Sequence, residues 1–190
     1  MNSEIISKVE ALVHEACKKE SNKFGYGIWT HHIVSVVKYS KILAELLGAD
    51  EEIVELSALL HDYASIKSVD LYKDHHIHGA TEAEKILEQL GYDSNKIEQV
   101  KHCIFSHRAS VVTDRLSNEA KCVASADAMA HIKQVPSLLY FAYVEKGMSI
   151  DEGATYVREK IERSWNKLIP QAKQIIEKEY RQSISLLTID

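Results

Sequence analysis

Apolar side chains recur every three or four residues along most of this 190-residue chain, a period that commits the backbone to helices. Clear period-two alternation, the mark of a half-buried strand, is missing from the sequence. Only two prolines occur, Pro136 and Pro170, and the seven glycines fall mostly between periodic segments. The reading is therefore all-α. A first helix runs to about Lys19, with Ile5, Val9, Leu12 and Ala16 along one face. After the loop SNKFGYG a second starts near Thr30, an N-cap, and stops at Gly48. Asp50 can cap a third, which carries Ile53, Leu56, Leu59 and Leu60 up to His61. The stretch SIKSVDLYKDHHIH reads as a loop with one turn of helix. Further helices are expected over 79–90, from Asp93 or Ser94 to about Ser106, over SNEAKCVASADAMAHIK, and from Pro136 to near Gly147. A long final helix starts near Ser149, and its stripe of Ile150, Ala154, Val157, Ile161, Trp165 and Leu168 is expected to pack on its own domain. Pro170 should kink or interrupt it.

The length suits one domain with a real core, and neither an internal repeat nor a linker divides it. With 23 basic and 28 acidic residues the net charge is −5, so no global basic footprint invites a nucleic-acid polymer. No apolar run reaches the ~20 residues that span a bilayer. The N-terminus alternates charged and apolar residues, without the apolar core of a secretion signal. Cys17, Cys103 and Cys122 are odd in number and lack CxxC spacing. A reduced, cytoplasmic setting is the expectation. Ten histidines stand out.

Chemistry enters where LSALL is followed at once by His61 and Asp62. The apolar run should hold that end of the helix near the core. A buried carboxylate there costs several kcal/mol unless a cation or hydrogen-bond donors meet it. Neutral imidazole with carboxylate is suitable chemistry for holding Zn, Mn, Fe, Ni or Co. Two other residues can complete such a shell. His32 lies in WTHHIVSVV, and Asp127 lies in VASADAMA, where small neighbours let other helices approach closely. An ion pair with a lysine is the alternative account of Asp127. Adjacent helical residues point about 100° apart, so only one of His31 and His32 can face the centre.

A histidine, then a His-Asp pair about thirty residues on after a helix, then a distant Asp: this set resembles the HD-domain superfamily of metal-dependent phosphohydrolases. Here it is His32, His61-Asp62 after LSALL, and Asp127 in SADA. The run LAELLGADEEIVELSALLHD is similar to the family's second and third helices with the glycine turn between them. The resemblance implies an HD-type helical bundle forming one domain over 1–190. A metal-site core would cover about 25–135, and a C-terminal helical extension about 136–190. It implies one divalent metal on His32, His61, Asp62 and Asp127, with Asp62 also orienting the nucleophile. The family's spacing selects His32 over His31, leaving His31 to the surface or to a supporting role.

Some HD proteins carry two metals, and in them a histidine stands four residues before a Gly-Ala pair while another follows an Ile by three. By that resemblance His75 and His107 are the candidates, with His78 a substitute for His75 and His76 also close by. His102, His14 and His131 are expected to be satisfied or exposed. Two-metal relatives often place a lysine four residues after the HD histidine; Ser65 stands there, and Lys67 follows two residues later. Arg108, beside His107, is the other candidate for substrate phosphate. The implied activity is hydrolysis of a phosphate ester or anhydride on a small, nucleotide-like substrate. Two alternatives carry the same inventory: a di-iron oxygenase of the HD type, and a non-catalytic metal-binding helical module.

Overall fold

The computed structural model describes residues 2–108 and 114–188, and among these there is no strand. The chain forms α1 (Asn2–Cys17), a π-helical turn (Trp29–Ile33) that runs straight into α2 (Val34–Leu47), α3 (Glu51–Leu60), and the short α4 (Tyr63–Lys67). A 3-10 turn at Val69–Leu71 leads to α5 (His75–Gln89), followed by α6 (Ser94–Ser106), α7 (Asn118–Lys133) and α8 (Val135–Tyr140). A second π-helical turn, Phe141–Glu145, precedes α9 (Ile150–Lys167) and α10 (Pro170–Leu187).

The helix ends follow local chemistry. Gly48 takes the left-handed conformation (φ 62°) that closes α2. The Asp50 carboxylate accepts from the N–H groups of Glu52 and Ile53 at the start of α3. Asp93 caps α6, Ser117 caps α7, and Ser149 with Glu152 forms a reciprocal capping box on α9.

Helix α7 is the central post. It packs against α2, α3, α6, α9 and α10, and the run 122–130 is buried throughout. Its small side chains are why that is feasible: alanine and serine let neighbouring backbones close in around the one carboxylate, Asp127. The buried apolar residues form a contiguous core from Val9 on α1 to Leu187 on α10.

Two expected boundaries shift. Helix α5 begins at His75 rather than Gly79, because the Asp74 carbonyl accepts from the N–H groups of Ile77 and His78 at 2.9 and 3.1 Å. Gly79 thus lies inside a helix. A Cβ there would meet Ile104 Cγ2 at 3.1 Å and the His61 carbonyl oxygen at 3.3 Å, so glycine lets α5 press against the end of α3. The long C-terminal helix is two helices. Leu168 and Ile169 are extended, as the residue before a proline prefers, and Pro170 opens α10. Helix α10 folds back on α9, stacking Tyr180 on Trp165 with ring centroids 4.1 Å apart. No helix among the described residues is long and apolar enough to cross a membrane.

Candidate active site

Five elements deliver the polar cluster. His32 comes from the π-helical turn, where the widened backbone carries it inward while His31 stays exposed. His61 and Asp62 end α3, whose last turns are wholly buried. His75 opens α5, His107 caps the end of α6, and Asp127 sits midway along α7.

Their tautomers can be read from the backbone. Nδ1 of His61 lies 2.8 Å from the Ala58 carbonyl oxygen, Nδ1 of His107 2.6 Å from that of Ile104, and Nδ1 of His75 2.9 Å from that of Tyr72. In each case Nδ1–H donates, so the neutral ring turns a bare Nε2 lone pair toward the centre. Those lone pairs are crowded. Nε2 of His75 and Nε2 of His107 are 3.2 Å apart, and Nε2 of His61 is 3.1 Å from Nε2 of His32. The bare lone pairs of His75 and His107 repel at that distance unless a cation or proton lies between them.

Asp62 stands between the two histidine pairs. Its Oδ2 is 3.4 Å from Nε2 of both His32 and His61, and its Oδ1 is 3.4 Å from Nε2 of His75 and 4.0 Å from that of His107. Asp127 presents Oδ1 to His32 Nε2 at 3.5 Å and to His131 Nδ1 at 3.6 Å. Nitrogen and carboxylate donors thus converge in two groups, His32, His61 and Asp127 in one and His61, Asp62 and His107 in the other, each compact enough to hold a metal ion.

The charges agree with that donor set. Burial alone would raise the Asp62 carboxyl, but His61, His32 and His75 hold it well below the usual carboxylate range. Asp127 is likewise held low against burial, chiefly by Lys167. His107 is pushed down to about 3 by burial and by His61, so it is neutral at physiological pH. His61 moves the other way, because Asp62 and Asp127 outweigh its burial.

The lysine alternative for Asp127 is also realised. Nζ of Lys167 donates to Asp127 Oδ2 at 2.6 Å and to the His107 carbonyl oxygen at 2.9 Å. The two carboxylate oxygens divide the roles: Oδ2 is taken by lysine, and Oδ1 faces the histidines.

The cluster forms one end of a cavity of about 750 Å³. Arg108, Lys160 and Arg163 line it further out, and Phe24, Tyr72, Phe141 and Tyr156 supply aromatic surface. Two sequence candidates are not brought here. His78 is exposed on α5, because starting that helix at His75 turns residue 78 to solvent; it does not stand in for His75. Lys67 pairs with Glu82 at 2.6 Å and does not line the cavity. His76 is buried against Phe105 and is absent from the cavity wall. Arg108 reaches the wall while donating to the Lys73 carbonyl oxygen at 2.6 Å.

Sequence reasoning missed three residues. His131, expected to be satisfied or exposed, stacks on His32 with centroids 5.0 Å apart and faces Asp127. Lys160 and Lys167 come from α9. The signal was present in both helices: 127, 131 and 134 on α7 and 156, 160, 163 and 167 on α9 recur at helical spacing beside the apolar stripes. His102, thought exposed, is half-buried and accepts from the Leu116 N–H.

The HD domain family's sequence pattern matches residues 29–132, and the chain belongs to that family. In fold it is similar to Bacillus subtilis YpgQ, with a TM-score of 0.73 and 22% identity over 98% of this chain and 95% of that one. A structure of YpgQ in complex with ADP gives a TM-score of 0.71 at 22% identity, over 96% and 95%. The Lin1889 protein of Listeria innocua gives 0.74 at 19% identity, over 98% and 93%. No curated protein matches the chain.

Proposed function

We propose that this protein is a metal-dependent hydrolase of phosphate esters or anhydrides, acting on a small, nucleotide-like substrate. The observation that carries this reading is Asp62, held between two histidine pairs whose Nε2 atoms crowd to 3.1 and 3.2 Å at one end of a cavity. Such an arrangement suits cations, and the donor set suits a divalent transition metal on His32, His61, Asp62 and Asp127, with His75 and His107 able to hold a second beside Asp62. When bound, the metal makes hydroxide available near neutral pH and polarises a phosphoryl oxygen.

The chain's own groups do the rest. Asp62, ionised because its histidine neighbours hold its pKa low, accepts a hydrogen bond from the attacking water and orients it. The Nδ1–H bonds to Ala58, Tyr72 and Ile104 lock three imidazoles before any ligand arrives, so little ordering cost remains at binding. Lys167 holds the Asp127 carboxylate through Oδ2. The aromatic surface suits a base or another flat group, and the ADP bound by YpgQ supports a nucleotide.

The test pairs elemental analysis of purified protein with a hydrolysis screen of nucleoside mono-, di- and triphosphates. One or two Mn, Ni, Zn, Co or Fe per chain with metal-dependent release of phosphate or pyrophosphate is the expected result. Two irons with oxygen consumption and no hydrolysis would replace it with the oxygenase reading. Tightly held metal with neither activity would leave a binding module.

A further inference from the structure

Helix α9 lies outside residues 29–132, yet it supplies one whole wall of the cavity through Tyr156, Lys160, Arg163 and Ser164. Tyr156, Lys160 and Arg163 are spaced four and three apart, and Ser164 lies four beyond Lys160, so they share one face of the helix. Lys167, one turn beyond Arg163, has already spent its charge on Asp127. Lys160 has not. It makes no hydrogen bond or ion pair with any described residue, although it sits in the field of Asp127, Asp62 and Arg163. Arg163 has one ion pair, to Glu159 at 3.6 Å between two side chains that are half exposed, which is a weak tie in water.

A partly buried ammonium with no anion is costly, and burial lowers the Lys160 pKa, with Asp127 and Asp62 opposing that shift. Its nearest remedy is an anion arriving in the cavity. The metal-binding end cannot provide one, because its carboxylates are engaged by Lys167 and the histidines. Arg108, the other cation in this wall, is partly tied to the Lys73 carbonyl.

We infer that Lys160 is the residue that binds the substrate's phosphate, with Arg163 one turn further along receiving the outer part of the same anionic group. This rests on the hydrolase reading for the word substrate, but the anion site itself does not depend on catalysis. It moves the phosphate contact from the HD segment, where Lys67 pairs with Glu82, to the C-terminal helical pair.

The test uses the full chain loaded with Mn²⁺ and inorganic pyrophosphate as the probe, in a calorimetric titration. Lys160→Met keeps the apolar stem and removes the charge; Lys160→Gln is read in parallel in case one variant misfolds, and Lys160→Arg restores the charge. The expected result is normal metal content in all three, with pyrophosphate bound at least about tenfold more weakly by the Met and Gln variants and within a few-fold of wild type by the Arg variant. Unfolding at or above the wild-type temperature in the Met variant would further separate lost binding from lost structure. Unchanged pyrophosphate affinity in the Met and Gln variants overturns the inference, as does a wild-type protein that takes no pyrophosphate. Hydrolysis by the wild type is scored separately. Activity with unchanged binding in the variants sinks only the role of Lys160, and Lys160-dependent binding without activity sinks only the hydrolase reading.

Discussion

Replacing Lys167 by Met in the metal-free protein should destabilise it sharply, and metal should restore part of the loss. Lys167 and Asp127 form a buried pair, 2.6 Å apart, with side chains only 3% and 7% exposed. Removing one member of such a pair leaves an uncompensated charge, at a cost of about 3–5 kcal/mol. The His107 carbonyl also loses its donor. For a chain of this size the melting temperature should fall by roughly 6–20 °C. A divalent cation held by Asp127 offsets this, by about 2.7 kcal/mol when its concentration is a hundred times its dissociation constant. The assay is thermal unfolding of wild type, Lys167→Met and the double variant Lys167→Met/Asp127→Asn, each with and without Mn²⁺. The double variant should be more stable than the single one without metal, because the stranded charge is gone. A Lys167→Met protein that melts within about 2 °C of wild type without metal would refute the reasoning.

Three further outcomes follow from the same geometry. Asp62→Ala should lose metal retention and hydrolysis together, because both histidine pairs face that carboxylate; normal metal content by elemental analysis would remove Asp62 from the ligand set. The metal-free protein should lose stability as pH falls from about 6.5 toward 3. The unfolded chain protonates His107 at its ordinary value of 6.5 while the folded chain holds it at about 3, so this group costs up to ~1.4 kcal/mol per pH unit. His131, lowered by burial and by Lys160, steepens that slope, whereas His61, raised by Asp62 and Asp127 against its burial, opposes it; denaturant midpoints independent of pH between 6.5 and 4.5 would contradict this. Gly79→Ala should cost about 1–3 kcal/mol and weaken metal binding on the His75 side first, since the added methyl crowds Ile104 and the His61 carbonyl one turn from His75. Equal loss at both groups of ligands, read from metal titration, would count against it.

The sequence by itself determined the helices, because the signals are local. Apolar spacing, the Asp50 and Asp93 caps, the Gly48 turn and Pro170 each act within a few residues, and all of them appear in the fold. His32, His61, Asp62 and Asp127 could be singled out for a similar reason: a polar residue in an apolar helical context is conspicuous in one dimension. The start of α5 was not, since Asp74 opens it with its backbone carbonyl, a group every residue has. From that single boundary came the ambiguity among His75, His76 and His78. Only tertiary packing could decide which partners meet across the bundle. Lys167 lies 40 residues from Asp127, and it reaches Asp127 because α9 packs on α7. Lys160 and Arg163 look like ordinary surface cations until that packing turns their stripe into a cavity wall. Side-chain chemistry is written residue by residue, whereas the field that tunes it is the sum over neighbours that the chain brings together only by folding.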